Sequence, residues 1–501
     1  VSFAYDQVLY PGVPLPQTHP DRLATIAGLF GMAPAAAPDC RVLEFGCGDG
    51  GNLIPMALTL PSSVFTGIDL AAPAIARGCA LANALGLENI TLRRLDLMRA
   101  GPDLGEFDYG VFDYIIAHGL YSWVPAEVRD QLLSLCRRHL APQGVAYVSY
   151  NACPGFGRRR MFREMMLHRV RGVEDPMRRV EQAAQFIGSL AKCRPENERA
   201  TVLFEEELRH LSECEPWFLY HDDLADTNYA PYFHEFAAHA ERHQLAYLGE
   251  ADFLEMQDDI YSEPVIQALR RFAGDDVLVK EQYLDFIKGR RFRQTLLCRE
   301  EARIDRRTRP QQIVGLHLAS AARPVSPVPD LRPGVFEEFR GPRGAALQTD
   351  DAHAKAALCR LGETWPRSLS FPELLAIAGG EPALLAEILF QAYRAGLLEA
   401  YTNPPQFAGN AGEQPAASPL ARLQAQQGTL VTTLRHTMVE LEDTTDRCLL
   451  LLLDGARKRE ALVDGLRAFV RSLAIPEAGG ITAELLEMRL ERLAKQALLL
   501  A

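Results

Sequence analysis

Two carboxylates and four glycines crowd into eight residues, Glu44 to Gly51 (EFGCGDGG). Glycine allows a tight turn and lets backbone N–H groups approach a ligand closely. Apolar Val42, Leu43 and Phe45 precede the glycines, and an apolar helical stretch, Leu53 to Leu60, follows them. Strand, glycine loop and helix in this order form the first turn of a doubly wound nucleotide-binding sheet. Gly46, Gly48 and Gly51 also satisfy G-x-G-x-x-G, the loop that cradles a pyrophosphate. Charge separates the two readings. Glu44 at the strand end and Asp49 in the loop would repel a pyrophosphate. A ligand with no phosphate and a cationic amino-acid tail would be attracted by them.

Two further acids extend the argument. Asp69 ends a second strand, Val64 to Leu70, 23 residues after Gly46, where an acid grips ribose hydroxyls. Asp96 ends a third, Ile90 to Leu97, placed to accept a hydrogen bond from an adenine amine. The ligand that unites a ribose, an adenine and a cationic tail without phosphate is S-adenosylmethionine (SAM). Glu44, the glycine loop, Asp69 and Asp96 in this order resemble the motifs of class I SAM-dependent methyltransferases. The candidate cofactor residues are Glu44, Gly46, Cys47, Gly48, Asn52, Asp69, Leu70, Asp96, Leu97 and His118.

Acceptor chemistry belongs at the carboxyl ends of the next strands. The fourth strand, Phe112 to Ala117, runs into His118-Gly119-Leu120-Tyr121-Ser122-Trp123. The fifth, Val145 to Tyr150, runs into Asn151. His118, Tyr121, Trp123, Tyr150 and Asn151 are therefore the candidate catalytic residues, lining an aromatic channel for an amine. Residues 1–22 are broken by proline and read as a lid, with Tyr5, Tyr10, Gln17 and His19 facing the ligand and Thr18 capping the helix that follows.

The elements that must hold these residues follow from the rest of the pattern. After Asn151 the period becomes helical, so residues 156–225 read as a helical insertion, a candidate dimer contact. Its arginines, interleaved with Glu164, Glu174 and Glu181, read as a solvated face. Helices and strands at 226–300, among them Leu245 to Leu248 and Phe292 to Cys298, finish a seven-stranded sheet. A proline- and glycine-rich stretch makes 301–345 a linker. Residues 346–403 read as a winged-helix-like domain and 417–501 as an α-helical C-terminal domain. The expected fold is thus an α/β Rossmann-like seven-stranded methyltransferase domain, 1–155 with 226–300, carrying three appended parts.

Composition bounds the partners. The chain of 501 residues has a net charge of −12 and a pI of about 5.6. Residues 347–403 hold four Lys/Arg against seven Asp/Glu. A phosphate footprint needs the reverse, so nucleic acid is an unfavourable partner. The longest aliphatic run, Leu449 to Leu453, is too short for a bilayer, and the N-terminal stretch lacks a secretory signal pattern. Ten cysteines without metal-site spacing read as reduced thiols in a cytoplasmic protein, with no metal expected.

Beyond these motifs the chain resembles bacterial protein-lysine methyltransferases that carry a methyltransferase regulatory domain, a family that includes enzymes acting on outer-membrane proteins. The resemblance lies in QTHPDRLATIA (17–27), VLEFGCGDGGNLIP (42–55), FDYIIAHGLYSWVP (112–125), VAYVSYNACPG (145–155), HDDLADTNYAPYFHEF (221–236) and LLLLLDGARKREAL (449–462). It implies a SAM-dependent enzyme, a protein substrate, a homodimer and a lysine acceptor. A small-molecule methyltransferase or a non-catalytic SAM-binding regulator would share the same fold.

Overall fold

Among the described residues of 41–151, helices separate most successive strands, and such a chain can bury both faces of a sheet only by winding helices over each. The computed structural model describes residues 10–99, 110–193, 207–258, 260–473 and 480–501. Its main sheet has seven strands: β1 (Arg41–Phe45), β2 (Val64–Asp69), β3 (Ile90–Arg94), β4 (Phe112–Ala117), β5 (Leu140–Asn151), β6 (Leu245–Glu250) and β7 (Phe292–Arg299). The order is β3-β2-β1-β4-β5-β7-β6. β7 runs antiparallel to both β5 and β6, and the other pairings are parallel. The helices are α1 (Pro20–Leu29), α2 (Leu53–Thr59), α3 (Ala72–Ala84), α4 (Ala126–His139), α5 (Phe156–Arg169), α6 (Pro176–Cys193), α7 (Phe233–Arg242), α8 (Glu263–Ala273) and α9 (Val277–Lys288).

The chain leaves β1 toward β2 and β3, then returns to add β4 on the other side of β1. That reversal opens a crevice beyond the carboxyl ends of β1 and β4, where doubly wound sheets bind ligands. Glu44 and His118 sit at those two ends.

Between β5 and α7 the described residues 156–193 and 207–224 contribute to a separate apolar core that includes Phe162, Met166, Val180, Ile187 and Leu211. The solvated-face reading of their arginines fails at Arg159. It is buried, donates to both oxygens of Asp223 at 2.7 and 2.6 Å, and lies 3.7 Å from Glu207. Its partners come from the far end of the insertion, so the local charge pattern does not display them.

The segment read as a linker is partly built into sheets. His317–Ala319 pairs with Leu369–Ser370 and Glu399–Tyr401, and Glu337–Arg340 pairs with Arg323–Pro324 and Ala346–Thr349. These strands are two to four residues long, and proline is tolerated at such edges, so turn chemistry masked them. Two helices, Ala352–Thr364 and Phe371–Ala378, pack on the first of these sheets, and a third, Pro382–Arg394, packs on Ala352–Thr364 and on the turn Pro310–Gly315. Lys355 is buried and donates to the carbonyls of Asp330, Arg332 and Val335, which removes one cation from an already acidic surface. Beyond residue 417 the chain is mostly helical around its own core, with a short hairpin, Leu430–Thr432 and Met438–Glu440, that sequence pattern alone does not show. Among the described residues no helix is long and apolar enough to cross a membrane.

A buried ion cluster locks β7 to α9 and β6. Arg293 donates to Asp285 at 2.9 and 2.8 Å, to Glu250 at 2.5 Å and to Glu281 at 3.1 Å, over the ring of Phe233 at 3.9 Å. Arg290 adds contacts to Asp285 and Glu281 at 3.2 and 3.4 Å. Removing one partner from such a cluster strands the others without water. Arg293→Ala should destabilise the domain by about 3–5 kcal/mol, read as a lowered urea midpoint; an unchanged midpoint would show the cluster to be energetically idle.

Candidate active site

The glycine loop folds as its spacing requires. Gly48 has φ 57°, in the left-handed region, and its N–H donates to Asp69 Oδ2 at 2.8 Å. Asp69 Oδ1 accepts from the N–H of Ala71 at 2.8 Å. The acid thus clamps loop and strand end, and its remaining acceptor capacity is open to ribose hydroxyls. Gly51 meets Gly12 so closely that a Cβ would lie 2.4 Å from the Gly12 carbonyl carbon. The N-terminal arm therefore lies directly on the loop.

Glu44 is buried at the end of β1. Its Oε1 accepts from Asn52 Nδ2 at 2.9 Å, while Oε2 is buried without a hydrogen-bond partner. Burial pushes its carboxyl up to about 8, the Asn52 hydrogen bond opposes that rise, and the nearby Asp69 adds to it. Asn52, at the start of α2, is a junction. Its Nδ2 also donates to Thr18 Oγ1 at 3.0 Å, and its Oδ1 accepts from the Leu15 N–H at 2.9 Å and from His436 Nε2 at 2.8 Å. His436 sits at the tip of the C-terminal hairpin with φ 58°. Its ring lies 5.5 Å from that of His19.

The arm departs from the lid reading in detail. His19, not Thr18, caps α1, with Nδ1 accepting from the Asp21 N–H at 3.3 Å. Thr18 is buried because its hydroxyl is spent on Asn52 and on the Leu15 carbonyl. Tyr10 packs on Trp217 and His221, at 5.0 and 5.5 Å, against the helical insertion rather than on the glycine loop. Gln17 hydrogen-bonds the Tyr147 hydroxyl. Tyr5 lies outside the described residues.

On the acceptor side His118 follows β4, with Nδ1 2.9 Å from the Tyr147 hydroxyl and 3.2 Å from Ser149 Oγ. Its ring stacks on Tyr147 at 5.9 Å and meets Phe292 edge-on at 6.0 Å. Burial lowers its pKa to about 4, so the imidazole is neutral. Ser149 Oγ also accepts from the Gly119 N–H at 2.8 Å, holding the loop after β4 open toward the crevice.

Two of the expected catalytic tyrosines point elsewhere. Tyr150 is fully buried on the opposite face of β5, stacked on Phe236 at 4.1 Å with its hydroxyl 3.1 Å from Thr295 Oγ1. Tyr121 is buried against Phe236, and its hydroxyl is 2.8 Å from His239 Nδ1. Trp123 is half-buried in the turn that its N–H closes onto the Leu120 carbonyl. Asn151 is half-buried; its backbone N–H donates to Ser122 Oγ at 2.8 Å, and its Nδ2 is buried without a partner. Among the cofactor candidates Cys47 is buried, Leu97 packs on the sheet core, Leu70 is exposed, and Asp96 is half-exposed with Oδ1 accepting from the Met98 N–H at 3.0 Å. The residues that sequence reasoning missed are Tyr147 and Ser149. Strand alternation was the signal, since residues 147, 149 and 151 share one face of β5 and residue 150 takes the other.

A buried carboxyl with an open oxygen, a clamp that keeps lone pairs free and a glycine turn fit a cationic, phosphate-free nucleoside. Glu44 would hold its amino-acid tail and Asp69 its ribose.

Three family models match this chain: "Methyltransferase domain" at residues 43–146, "Predicted methyltransferase regulatory domain" at 215–299, and "PKMT, C-terminal winged helix domain" at 413–498. The uncharacterized protein RP789 of Rickettsia prowazekii is 30% identical over 484 residues, covering 93% of this chain and 86% of that protein. The chain belongs to this methyltransferase family. It is a class I methyltransferase that uses SAM. PKMT2 from Rickettsia typhi, whose structure was solved in complex with AdoHcy, superposes with a TM-score of 0.85 at 25% identity, covering 98% of this chain and all of that one. A second Rickettsia prowazekii protein, RP028, is 32% identical over 48% of the chain and 95% of its own length. The winged-helix match falls on 413–498, the part read as purely helical, and not on 346–403. The three-residue strands of the 430–440 hairpin were too short to register as strands.

Two outcomes follow for cofactor binding. Glu44 is protonated below about pH 8 in the free methyltransferase, and a cationic tail favours the carboxylate. With Glu44 holding that tail, SAM binding would release a proton, and affinity should rise up to about tenfold per pH unit between roughly pH 5.5 and 7.5. Calorimetry should show that slope and its loss in Glu44→Gln; a flat wild-type profile refutes the assignment. Asn52→Ala should weaken SAM binding about tenfold or more, because it unties Glu44, the arm and the hairpin together. An unchanged Kd would mean that the junction does not shape the cofactor site.

Proposed function

We propose that this methyltransferase modifies lysine side chains of a protein substrate. What carries the reading is the extent of the PKMT2 match: it runs through the regulatory segment and the C-terminal domain as well as the sheet. Those appended parts suit an enzyme that must grip a macromolecule, whereas a small acceptor needs only the crevice.

The pocket chemistry agrees. SAM, when bound, supplies an electrophilic methyl carbon on a sulfonium. A free lysine has a pKa near 10.4, so only about one in a thousand is neutral and nucleophilic at pH 7. His118 and Tyr147 are both neutral, held so by burial, and with the ring of Phe292 beside them they form an aromatic entrance with a desolvated floor. Such surroundings lower the pKa of an entering amine. Nδ1 of His118 is already engaged by Tyr147, and its basicity is low, so its role is to orient the acceptor amine rather than to store its proton. Asn151, with its unpaired Nδ2, and half-buried Trp123 are proposed to line the same entrance.

Domain limits and setting belong to the same proposal. Residues 1–155 and 226–300 form the methyltransferase unit, and the insertion at 156–225 supplies a dimer contact, supported by its own core and by exposed Met161 and Met177. The described cysteines carry no disulfide, which supports a cytoplasmic enzyme that meets its substrates, outer-membrane proteins among them, before export.

The test is methylation of intact proteins with SAM, with modified residues mapped by peptide mass spectrometry. Methyl-lysine is expected; methylation of small amines alone would sink the protein-substrate reading. His118→Ala should lower kcat about tenfold or more with little change in the SAM Kd. If kcat is unmoved, His118 does not face the acceptor.

A further inference from the structure

The buried Tyr121–His239 pair leads away from the crevice to a second cluster. His239 and His243 are four residues apart in HAERH, so they share one face at the end of α7. Asp130 on α4 faces them. Its Oδ1 lies 3.2 Å from His239 Nε2 and 2.9 Å from His243 Nε2, and the imidazole rings are 5.4 Å apart. One donor atom from each residue falls within 4.8 Å of the other two. The histidine side chains are 12% and 16% exposed, and that of Asp130 is 62% exposed, so the cluster is open on one side only.

We propose that Asp130, His239 and His243 form a binding site for a divalent transition-metal ion, zinc being the best fit, that staples α4 to α7. Two imidazoles and a carboxylate with one open side make a three-ligand set whose fourth position water fills. Bonds of about 2.0–2.1 Å in a tetrahedron set neighbouring donors about 3.3 Å apart. The two carboxylate–imidazole separations, 3.2 and 2.9 Å, are close to that, and the two imidazole nitrogens lie within 4.8 Å of one another.

A further contact supports the assignment. Metal-ligating histidines almost always use their other ring nitrogen in a hydrogen bond that fixes orientation. His239 Nδ1 has such a partner, the buried Tyr121 hydroxyl at 2.8 Å, and Tyr121 is itself packed by Tyr150 and Phe236. Nε2 of His239 is thereby aimed at Asp130. Arg242 acts on His239, and Arg129 lies over Tyr121 and Tyr229 at 5.8 and 4.0 Å. Two cations nearby weaken affinity for a divalent ion, so the site is expected to exchange its metal readily and to empty under a strong chelator.

The test uses untagged full-length protein, stripped of metal and kept reduced. Titration with Zn2+ against a chromophoric indicator should show one equivalent bound, and Co2+ should give the visible spectrum of a nitrogen- and oxygen-ligated site. His243→Ala and Asp130→Asn, both near the surface, should lose that equivalent while far-ultraviolet circular dichroism stays the same. Tyr121→Phe should weaken binding about 10- to 100-fold. Absence of stoichiometric metal in the wild type overturns the proposal, as does full retention in both ligand variants. A thiolate-to-cobalt charge-transfer band would place the metal on cysteine and overturn it too.

Discussion

The carboxamide of Asn52 is the contact on which the site depends. A carboxyl buried as deeply as that of Glu44 is unfavourable unless its oxygens are hydrogen-bonded. Asn52 supplies one such bond and spends its remaining capacity on Thr18, Leu15 and His436. Loop, arm and C-terminal hairpin therefore meet at one amide, although His436 is 384 positions further along the chain. Buried polar networks of this kind specify one arrangement, because any alternative leaves a donor or acceptor without a partner.

The sheet makes that meeting possible. The strand reversal between β1 and β4 creates the crevice, and the antiparallel β7 closes the far side with Phe292 beside His118. Behind it, the Arg293 cluster fixes β6, β7 and α9 with charges that share no solvent. The middle domain is tied in as well: Asp21, at the start of α1, accepts from Thr402 Oγ1 and from the Asn403 N–H. The cofactor loop is thus surrounded by elements drawn from three separate parts of the chain, which gives the appended domains a physical route to influence it.

Much of this was legible beforehand where the signal is local. The glycine loop, Glu44 and Asp69 at strand ends and the seven-stranded sheet follow from short-range periodicity and turn chemistry, whereas Asp96, expected on a strand reaching Leu97, lies two residues beyond β3, which ends at Arg94. The misreadings share a cause. Tyr121 and Tyr150 look catalytic because aromatic residues near strand ends are a local feature; strand alternation turns Tyr150 to the far face of β5, and there Phe236 of α7 packs against both rings. Arg159 looks solvated until Asp223 arrives from 64 residues away. The linker and the C-terminal hairpin contain strands too short to show a period.

By itself the sequence determined the kind of chemistry: acids around a glycine turn reject phosphate and accept a cationic nucleoside, and that follows from residue types a few positions apart. The tertiary structure alone decided which polar groups share the pocket. Tyr147, Ser149 and Phe292 are brought to His118 by strand pairing, and His436 to Asn52 by domain packing. Burial and hydrogen bonding act through space, and short-range pattern carries no record of which distant group will satisfy a buried one.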